Sequence, residues 1–348
     1  MHFSAERPGF TIKGPIEMGP DVGISVKTPK GEIYEWRPQK DIPGVRLETP
    51  WEFLDYPNKN PIELCERYLC LLNDVVDSFI KEFSVQKDVL AQIQAAISEK
   101  LLTAGPRPFA VFDFDNTCIV NDVGEAALAY LCRHKLVKNL TLLAEGEGGA
   151  GDYSERVFRR YYEIFGQGKI LEAYSFCARA FAGFTPEAAT ALAQATLEAE
   201  GTTPGTDELY GVKIAHGLPV RPQVRQLMEY LSAQGVAVWV VSASSEFAVR
   251  AALQHHHLPG QLIGIRNVIK DGILTPLLEE PMSVLAGKPT CIKKFIDPVQ
   301  SPLVGVGDSM NDLPMLEIAS IKVVVDRGNA LAQEARTRGW FLLQQPSV

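Results

Sequence analysis

The sequence has few of the features that mark secreted, membrane or nucleic-acid-binding proteins. Its six cysteines include no pair with Cys-x-x-Cys spacing, so we expect neither a disulfide framework nor a structural zinc site. No apolar stretch approaches the length that crosses a bilayer, and residues 1–10 contain no apolar signal-peptide core. No cluster of lysine and arginine gives the basic face of a nucleic-acid binder. We therefore expect a cytoplasmic protein with no nucleic-acid or membrane partner.

The composition is that of an ordinary globular protein. Hydrophobic residues make up 46% and charged residues 22% of the 348 residues, and the formal net charge is -8. A chain of this length suits two domains, or one domain with a substantial insertion. It contains no internal repeat and no low-complexity tract. The composition leaves the oligomeric state open.

The most informative segment reads Phe-Ala-Val-Phe-Asp-Phe-Asp-Asn-Thr and runs from Phe109 to Thr117. Its apolar run follows a cluster of Gly and Pro and suits a strand that is buried on both faces. Two negative charges, Asp113 and Asp115, end this strand. Because ligands of open α/β sheets bind at the carboxyl ends of the strands, both aspartates are candidate site residues.

Strands and helices alternate regularly from Arg221 onwards, which predicts a parallel, doubly wound sheet. Between this region and the first strand, residues 126–215 are rich in Ala, Glu, Leu and aromatic residues and predict a helical insertion. The predicted strands after the first are 236–241, 262–265, 303–306 and 322–325, and the last of these is expected to close the pattern.

The first hundred residues carry no motif that indicates chemistry. A hairpin is predicted at 24–27 and 32–36, around a Pro-Lys-Gly turn. Apolar residues at helical spacing then predict helices from Pro61 to about Leu102. We expect this part to be an extension outside the main domain.

Two further predicted strands end in residues that suit phosphate chemistry. The strand at 236–241 is followed by Ser242-Ala243-Ser244-Ser245, and the strand at 303–306 by Gly307-Asp308-Ser309-Met310-Asn311-Asp312. Lys288 precedes a predicted helix. Four carboxylates at one sheet edge require a hard cation, and ligands that are all oxygen favour Mg²⁺. Together with a lysine and a serine at a helix N-terminus, they indicate phosphoryl transfer.

These motifs, in this order, resemble the four motifs of the haloacid dehalogenase superfamily, and the phosphoserine phosphatase and phosphorylcholine phosphatase branch in particular. The resemblance covers residues 105 to 330. It implies a Rossmann-like α/β core with an inserted helical type-one cap and an N-terminal helical extension. The implied domains are an extension at 1–104, a catalytic core at 105–125 and 216–348, and a helical cap at 126–215.

The resemblance also implies roles for the two aspartates of the first motif. Asp113 would be the nucleophile that forms an aspartyl-phosphate intermediate. Asp115 would protonate the leaving alkoxide and then deprotonate the attacking water. Because dehalogenases of the superfamily lack an acid at the Asp115 position, dehalogenation is disfavoured.

The remaining implied roles concern Mg²⁺ and the phosphate. Asp113, Asp308 and the backbone carbonyl of Asp115 would bind the metal, and Asp312 would orient the metal's surroundings and Lys288. Ser242 and Lys288 would hold the phosphoryl oxygens. The backbone amides near Phe114 and Ala243 would complete the phosphate site.

The sequence leaves the substrate open among small phosphorylated metabolites. In phosphoserine phosphatases a glutamate nine residues after the nucleophile helps to hold the substrate's ammonium group, and that position is Asp122 here, one methylene shorter, with Glu125 close by. The branch's Ser-Gly-Gly motif is Ser242-Ala243-Ser244 in this chain. The aromatic residues of the predicted cap either form its core or line a cation site. Arginines that could bind a substrate carboxylate, or lie on the cap surface, are Arg156, Arg159 and Arg160.

Two other functions stay open from the sequence alone. A phosphotransferase of the same fold would pass the phosphoryl group to an alcohol. A non-catalytic binding or scaffolding protein would use the N-terminal helices instead. Phosphate release from phosphomonoesters distinguishes the enzyme from the scaffold.

Overall fold

A computed structural model of the protein describes residues 89–344 and, before them, the backbone of four short strands. The chain forms two compact units, residues 1–85 with 346–348 and residues 86–345. The strands of the first unit are β1 (His2–Arg7), β2 (Phe10–Pro15), β3 (Ile24–Lys27) and β4 (Ile33–Trp36), paired in that order.

The pairing within the first unit is antiparallel throughout. Residue pairs from Ile24↔Trp36 to Lys27↔Ile33 join β3 to β4, which confirms the predicted hairpin. The strands β1 and β2 were not predicted. Of the helical stretch predicted from Pro61, residues up to 88 lie outside the described residues, and 89–101 form helix α1.

Helix α1 belongs to the second unit. Leu90, Ile93 and Ile97 recur on one face of this helix and are buried in the main hydrophobic core. The compact unit therefore begins before residue 105, where the resemblance placed the start of the catalytic core. The domain boundaries themselves stay a prediction.

A parallel sheet of six strands forms the centre of the second unit and confirms the predicted α/β fold. The sheet order is β14-β13-β12-β5-β8-β9, and every neighbouring pair is parallel. All four residues of β5 are buried, as the unbroken apolar run predicts. The sheet strands are β5 (Phe109–Phe112), β8 (Ala237–Ser245), β9 (Gln261–Ile265), β12 (Val304–Gly307), β13 (Ile321–Asp326) and β14 (Phe341–Gln344).

Helices cover the sheet and form the inserted cap. Helix α2 (Val123–Arg133) spans the predicted boundary between core and cap. The helices after the insertion are α6 (Pro222–Ala233), α7 (Glu246–His255), α8 (Gly287–Phe295), α9 (Leu313–Ile318) and α10 (Ala330–Arg338). The helices of the insertion are α3 (Tyr153–Gly166), α4 (Ile170–Arg179) and α5 (Pro186–Glu200). None of the described helices is long and apolar enough to cross a bilayer.

The insertion is helical, as predicted, but it also contains a hairpin of β6 (Gly205–Leu209) and β7 (Val212–His216). These two strands contain few buried apolar residues. They therefore lack the clear alternation of apolar and polar residues that predicts a strand. A second hairpin, β10 (Asn267–Lys270) and β11 (Ile273–Leu278), turns at Asp271-Gly272 and touches the cap. Its Leu274 exchanges backbone hydrogen bonds with residues 183 and 184, each of 2.8 Å.

The expectation that strand 322–325 closes the pattern was wrong. Helix α10 follows, begun by the side chain of Asn329 and ended by Gly339 in the left-handed conformation. Strand β14 then adds to the sheet beside β13. Both elements are short, and α10 is largely polar, so the apolar periodicity that reveals longer elements is weak here.

Candidate active site

The predicted motif residues meet at the carboxyl edge of the sheet. Strand β5 lies between β8 and β12, where the order of strands reverses, and this is the ligand-binding position of an open α/β sheet. Asp113 follows β5, Ser242 lies in β8, and Asp308 follows β12. All three are buried, and the Asp113 backbone N–H donates to the Val306 carbonyl over 2.9 Å.

Lys288 joins two of the aspartates. Its Nζ lies 2.6 Å from Asp113 Oδ1 and 2.6 Å from Asp312 Oδ1, and the lysine side chain is fully buried. Burial alone would lower the pKa of Lys288, but the two carboxylates raise it above its ordinary value. A Cβ atom at position 287 would collide with the Met282 carbonyl, so glycine is required just before this lysine.

Asp312 has a hydrogen-bond partner on each of its oxygens. Oδ1 accepts from Lys288, and Oδ2 accepts from the backbone N–H groups of Asp308 and Ser309, each over 3.0 Å. A Cβ atom at Gly307 would lie 2.5 Å from the Cβ of Asp312, so this close turn needs glycine. Asp312 therefore fixes both the lysine and the turn that carries Asp308.

Asp308 accepts hydrogen bonds from two side chains. Thr117 Oγ1 lies 3.2 Å from Oδ1 and also 3.0 Å from Asp113 Oδ2, and Arg327 donates to Asp308 Oδ2 over 2.7 Å. Burial, with Asp312 nearby, raises the pKa of Asp308 to about 6. No sequence motif pointed to Arg327. It follows strand β13, whose carboxyl end lies at this same edge, and that position was the available signal.

The carboxylates of Asp113, Asp308 and Asp312 lie within 4.8 Å of one another and are all buried. Burial raises the pKa of Asp113 well above its ordinary value, and the neighbouring Asp312 raises it further despite Lys288. Three carboxylates meet here with Lys288 and Arg327 as the cations that bind them, so negative charge is in excess among the described residues of the site. An oxygen-only donor set with excess negative charge fits a hard divalent cation. All three carboxylates have neighbours on both oxygens, but Asp312 is held by Lys288 and two backbone N–H groups. Asp113 Oδ2 and Asp308 Oδ1 instead share the single O–H of Thr117, so Asp113 and Asp308 are the better candidates for direct ligands.

Asp115 is surrounded by hydrogen-bond donors. Oδ1 accepts from the backbone N–H of Val123 over 2.7 Å, while Oδ2 accepts from Ser244 Oγ over 2.7 Å and from Ser242 Oγ over 3.2 Å. Burial, followed by the charge of Asp122, still raises the pKa of Asp115 well above its ordinary value. A carboxyl group of this kind holds its proton more readily than an exposed aspartate and can act as an acid.

The predicted phosphate-binding residues lie beside these aspartates. Ser242 is fully buried, its Oγ accepts from the Ser244 N–H over 3.0 Å, and its carbonyl accepts from Ser283 Oγ over 2.5 Å. Ala243 is buried next to it, and Phe114, which lies between the two aspartates in sequence, places its ring in the hydrophobic core.

The two acids considered for substrate recognition lie at the start of α2. Asp122 caps this helix, because its Oδ1 accepts from the Glu125 N–H over 2.9 Å. Burial and the charge of Glu125 raise the pKa of Asp122 to about 8. Glu125 Oε1 accepts from Tyr161 Oη of cap helix α3 over 2.8 Å, and burial raises the pKa of Glu125 as well.

The cap aromatic residues are mostly core. Phe158, Tyr161 and Phe181 are fully buried, and the ring centroids of Tyr161 and Tyr162 lie 5.0 Å apart in an edge-to-face pair. The three cap arginines bind cap residues. Arg156 donates to the Glu147 carbonyl, and Arg159 and Arg160 pair with acids, among them Glu155 and Glu147.

Comparison with known proteins agrees with this geometry. The family model described as haloacid dehalogenase-like hydrolase matches residues 110–317. The chain is 26% identical over 241 residues to the phosphorylcholine phosphatase of Pseudomonas aeruginosa, covering 58% of this chain and 68% of that protein. It is 27% identical over 249 residues to the histidinol-phosphatase of Neisseria meningitidis, covering 67% of this chain and 97% of that protein.

A solved structure supports the fold alone. A Bordetella pertussis protein of unknown function is 19% identical, with a TM-score of 0.53, covering 69% of this chain and 99% of that one. The family match covers more than half of the chain and confirms the predicted resemblance. The chain belongs to the haloacid dehalogenase-like hydrolase family and is a phosphatase, a phosphoric monoester hydrolase of small phosphate esters.

Proposed function

We propose that the protein is a Mg²⁺-dependent phosphatase that hydrolyses a small, amine-bearing phosphomonoester through an aspartyl-phosphate on Asp113. One observation carries this proposal: Asp113, Lys288, Asp312 and Asp308 form a continuous buried network at the end of β5, with Asp115 beside it.

In the first step an Asp113 carboxylate oxygen attacks phosphorus, and the bond from phosphorus to the ester oxygen breaks. Asp115 transfers its proton to the departing alkoxide, which leaves as an alcohol. The raised pKa of Asp115 supports this role, because the acid must hold a proton when the substrate binds. Lys288 balances the charge of Asp113 and orients its Oδ1.

In the second step water attacks phosphorus, and the bond from phosphorus to Asp113 breaks. The proton of the water passes to the Asp115 carboxylate, inorganic phosphate leaves, and both aspartates return to their starting states. Asp115 lies only two residues after Asp113. Its carboxyl group can therefore act as the acid in the first step and as the base in the second.

Phosphoryl oxygens would be held by Ser242, Lys288 and the backbone amides of Phe114 and Ala243. Mg²⁺ would be held by Asp113, Asp308 and the backbone carbonyl of Asp115. When bound, the metal would neutralise part of the phosphate charge and so reduce its repulsion from the nucleophile.

Two features support a cationic group on the substrate. Glu125 and Asp122 are half-buried acids close together at the start of α2, and Tyr161 donates to Glu125. A substrate ammonium would balance their charge, and tyrosine faces also attract cations. The similar phosphorylcholine phosphatase and histidinol-phosphatase are in keeping with this choice.

The cap arginines favour a substrate without a carboxylate. Because Arg156, Arg159 and Arg160 bind cap residues, they are poor candidates for holding the carboxylate of phosphoserine. Phosphocholine and phosphoethanolamine therefore fit the described site better than phosphoserine.

A phosphomonoester panel tests this function directly. With Mg²⁺, we expect purified protein to release phosphate faster from phosphocholine or phosphoethanolamine than from glycerol 3-phosphate. Chelation with EDTA should remove the activity and added Mg²⁺ should restore it. Failure to release phosphate from every ester, including p-nitrophenyl phosphate, would contradict the proposal. Faster transfer to an added alcohol than to water would instead support a phosphotransferase.

The role of Glu125 gives a second test. In Glu125→Gln the shape is kept and the charge is lost, so we expect KM for phosphocholine to rise by roughly tenfold to a hundredfold, the range for losing a charged contact. The KM for p-nitrophenyl phosphate should change by less than about threefold. Glu163→Gln, at an exposed acid on cap helix α3, is the matched control. Equal changes in both KM values would rule out a cation-binding role for Glu125.

A further inference from the structure

We propose that Ser244 is a positioning residue that holds the Asp115 carboxyl group where it can protonate the leaving oxygen, an inference that rests on the proposed function. Ser244 is 5% exposed, and its Oγ lies 2.7 Å from Asp115 Oδ2. This is the shorter of the two side-chain contacts to that oxygen.

The other contacts of Asp115 cannot take over this task. The Val123 N–H binds Oδ1, the opposite oxygen of the carboxyl group. The Ser242 hydroxyl lies 3.2 Å from Oδ2, and in the proposed reaction it turns to the phosphoryl oxygens. With substrate bound, Ser244 is then the side chain that still holds Oδ2 among the described contacts.

A hydroxyl group suits an acid that changes its protonation state twice in each cycle. It donates to the carboxylate and can accept from the protonated carboxyl, whereas a backbone N–H can only donate. Ser244 can therefore hold Asp115 both before and after the proton moves to the leaving oxygen.

The surroundings of Ser244 leave its side chain little freedom. A Cβ atom at Gly124 would lie 2.6 Å from Ser244 Oγ, so the glycine at the start of α2 makes room for this hydroxyl. The Ser244 N–H donates to Ser242 Oγ over 3.0 Å, which fixes the backbone of the same turn. Neighbouring Ser245 is equally buried, but its hydroxyl has no hydrogen-bond partner in the described part of the chain.

Leaving-group dependence separates positioning of the acid from general damage. Three substrates, p-nitrophenyl phosphate, phenyl phosphate and phosphocholine, have increasingly basic leaving oxygens and therefore increasing need for protonation. For Ser244→Ala we expect kcat/KM to fall about tenfold with phosphocholine, less with phenyl phosphate, and less than about twofold with p-nitrophenyl phosphate. A tenfold loss is part of the rate enhancement of about 10²–10⁴ that a general acid typically contributes. Ser245→Ala, the matched control, should leave all three values within about twofold.

Ser244→Gly removes the same hydroxyl and should show the same pattern, which guards against misfolding of one variant. An equal fall with all three substrates, or no fall with any, would overturn the positioning role.

Asp113→Asn distinguishes this failure from failure of the proposed function. If that variant stayed active, the covalent route itself would be wrong, whereas an inactive Asp113→Asn leaves the route standing whatever Ser244 does.

Discussion

Replacement of Asp113 by asparagine should lower kcat/KM by about 10⁴-fold or more for every phosphomonoester, as expected when a covalent nucleophile is removed. Asparagine keeps the shape of the side chain, but its amide oxygen is a poor nucleophile. The measurement is phosphate release from p-nitrophenyl phosphate, because this ester has a good leaving group and needs no acid.

The Asp113→Asn variant should remain folded. Lys288 keeps its contact with Asp312, and removing one of several crowded carboxylates reduces the repulsion in the site. Asp271→Asn is the control, because Asp271 lies exposed in a turn where asparagine is also suited to the positive φ of 53°. Activity near the wild-type level in folded Asp113→Asn would rule out the aspartyl-phosphate route.

Lys288→Met should have a large effect on both stability and activity. The substitution keeps an unbranched side chain one atom shorter than lysine but leaves Asp113 and Asp312 without their shared cation in a buried site. Loss of one partner from a buried ion pair costs about 3–5 kcal/mol in the free energy of unfolding. We expect kcat to fall by about 10³-fold as well, since a charged donor to the nucleophile and the phosphate is lost.

A double variant separates these two effects. In Lys288→Met/Asp312→Asn one of the unpaired charges is removed, so the free energy of unfolding should recover in part while the activity stays low. Urea unfolding gives the stability and phosphate release gives the activity. If Lys288→Met were as stable as the wild type, Lys288 would not be the charge that holds this network together.

The sequence revealed the residues of the site better than their contacts. Asp113, Ser242 and Asp308 could be placed because each directly follows or ends an apolar strand, and parallel strands bring such ends together. Arg327 could not be found in this way, because its pairing with Asp308 depends on the path of the turn after β13. Likewise, no spacing rule connects Ser244 with Asp115, whose contact crosses from β8 to the loop after β5.

Elements with weak periodicity were also the ones missed. The hairpin β6–β7 has mainly exposed or half-buried residues, and β14 is a short edge strand, so neither gives a clear apolar pattern. By contrast, the start of α5 can be read from local residues, because Thr185 caps the helix and Pro186 opens it. Local chemistry at helix ends is visible in sequence, whereas strand pairing at an edge is not.

Trapping the covalent intermediate tests the central claim most directly. Asp115→Asn lacks the base for the second step, but p-nitrophenyl phosphate can still phosphorylate Asp113, so the intermediate should accumulate. After acid quenching, mass spectrometry should find one added phosphoryl group on the peptide that contains Asp113, and none in Asp113→Asn/Asp115→Asn. If nitrophenol is released in the first turnover while no phosphoryl group is found on Asp113, the phosphatase does not work through this aspartate.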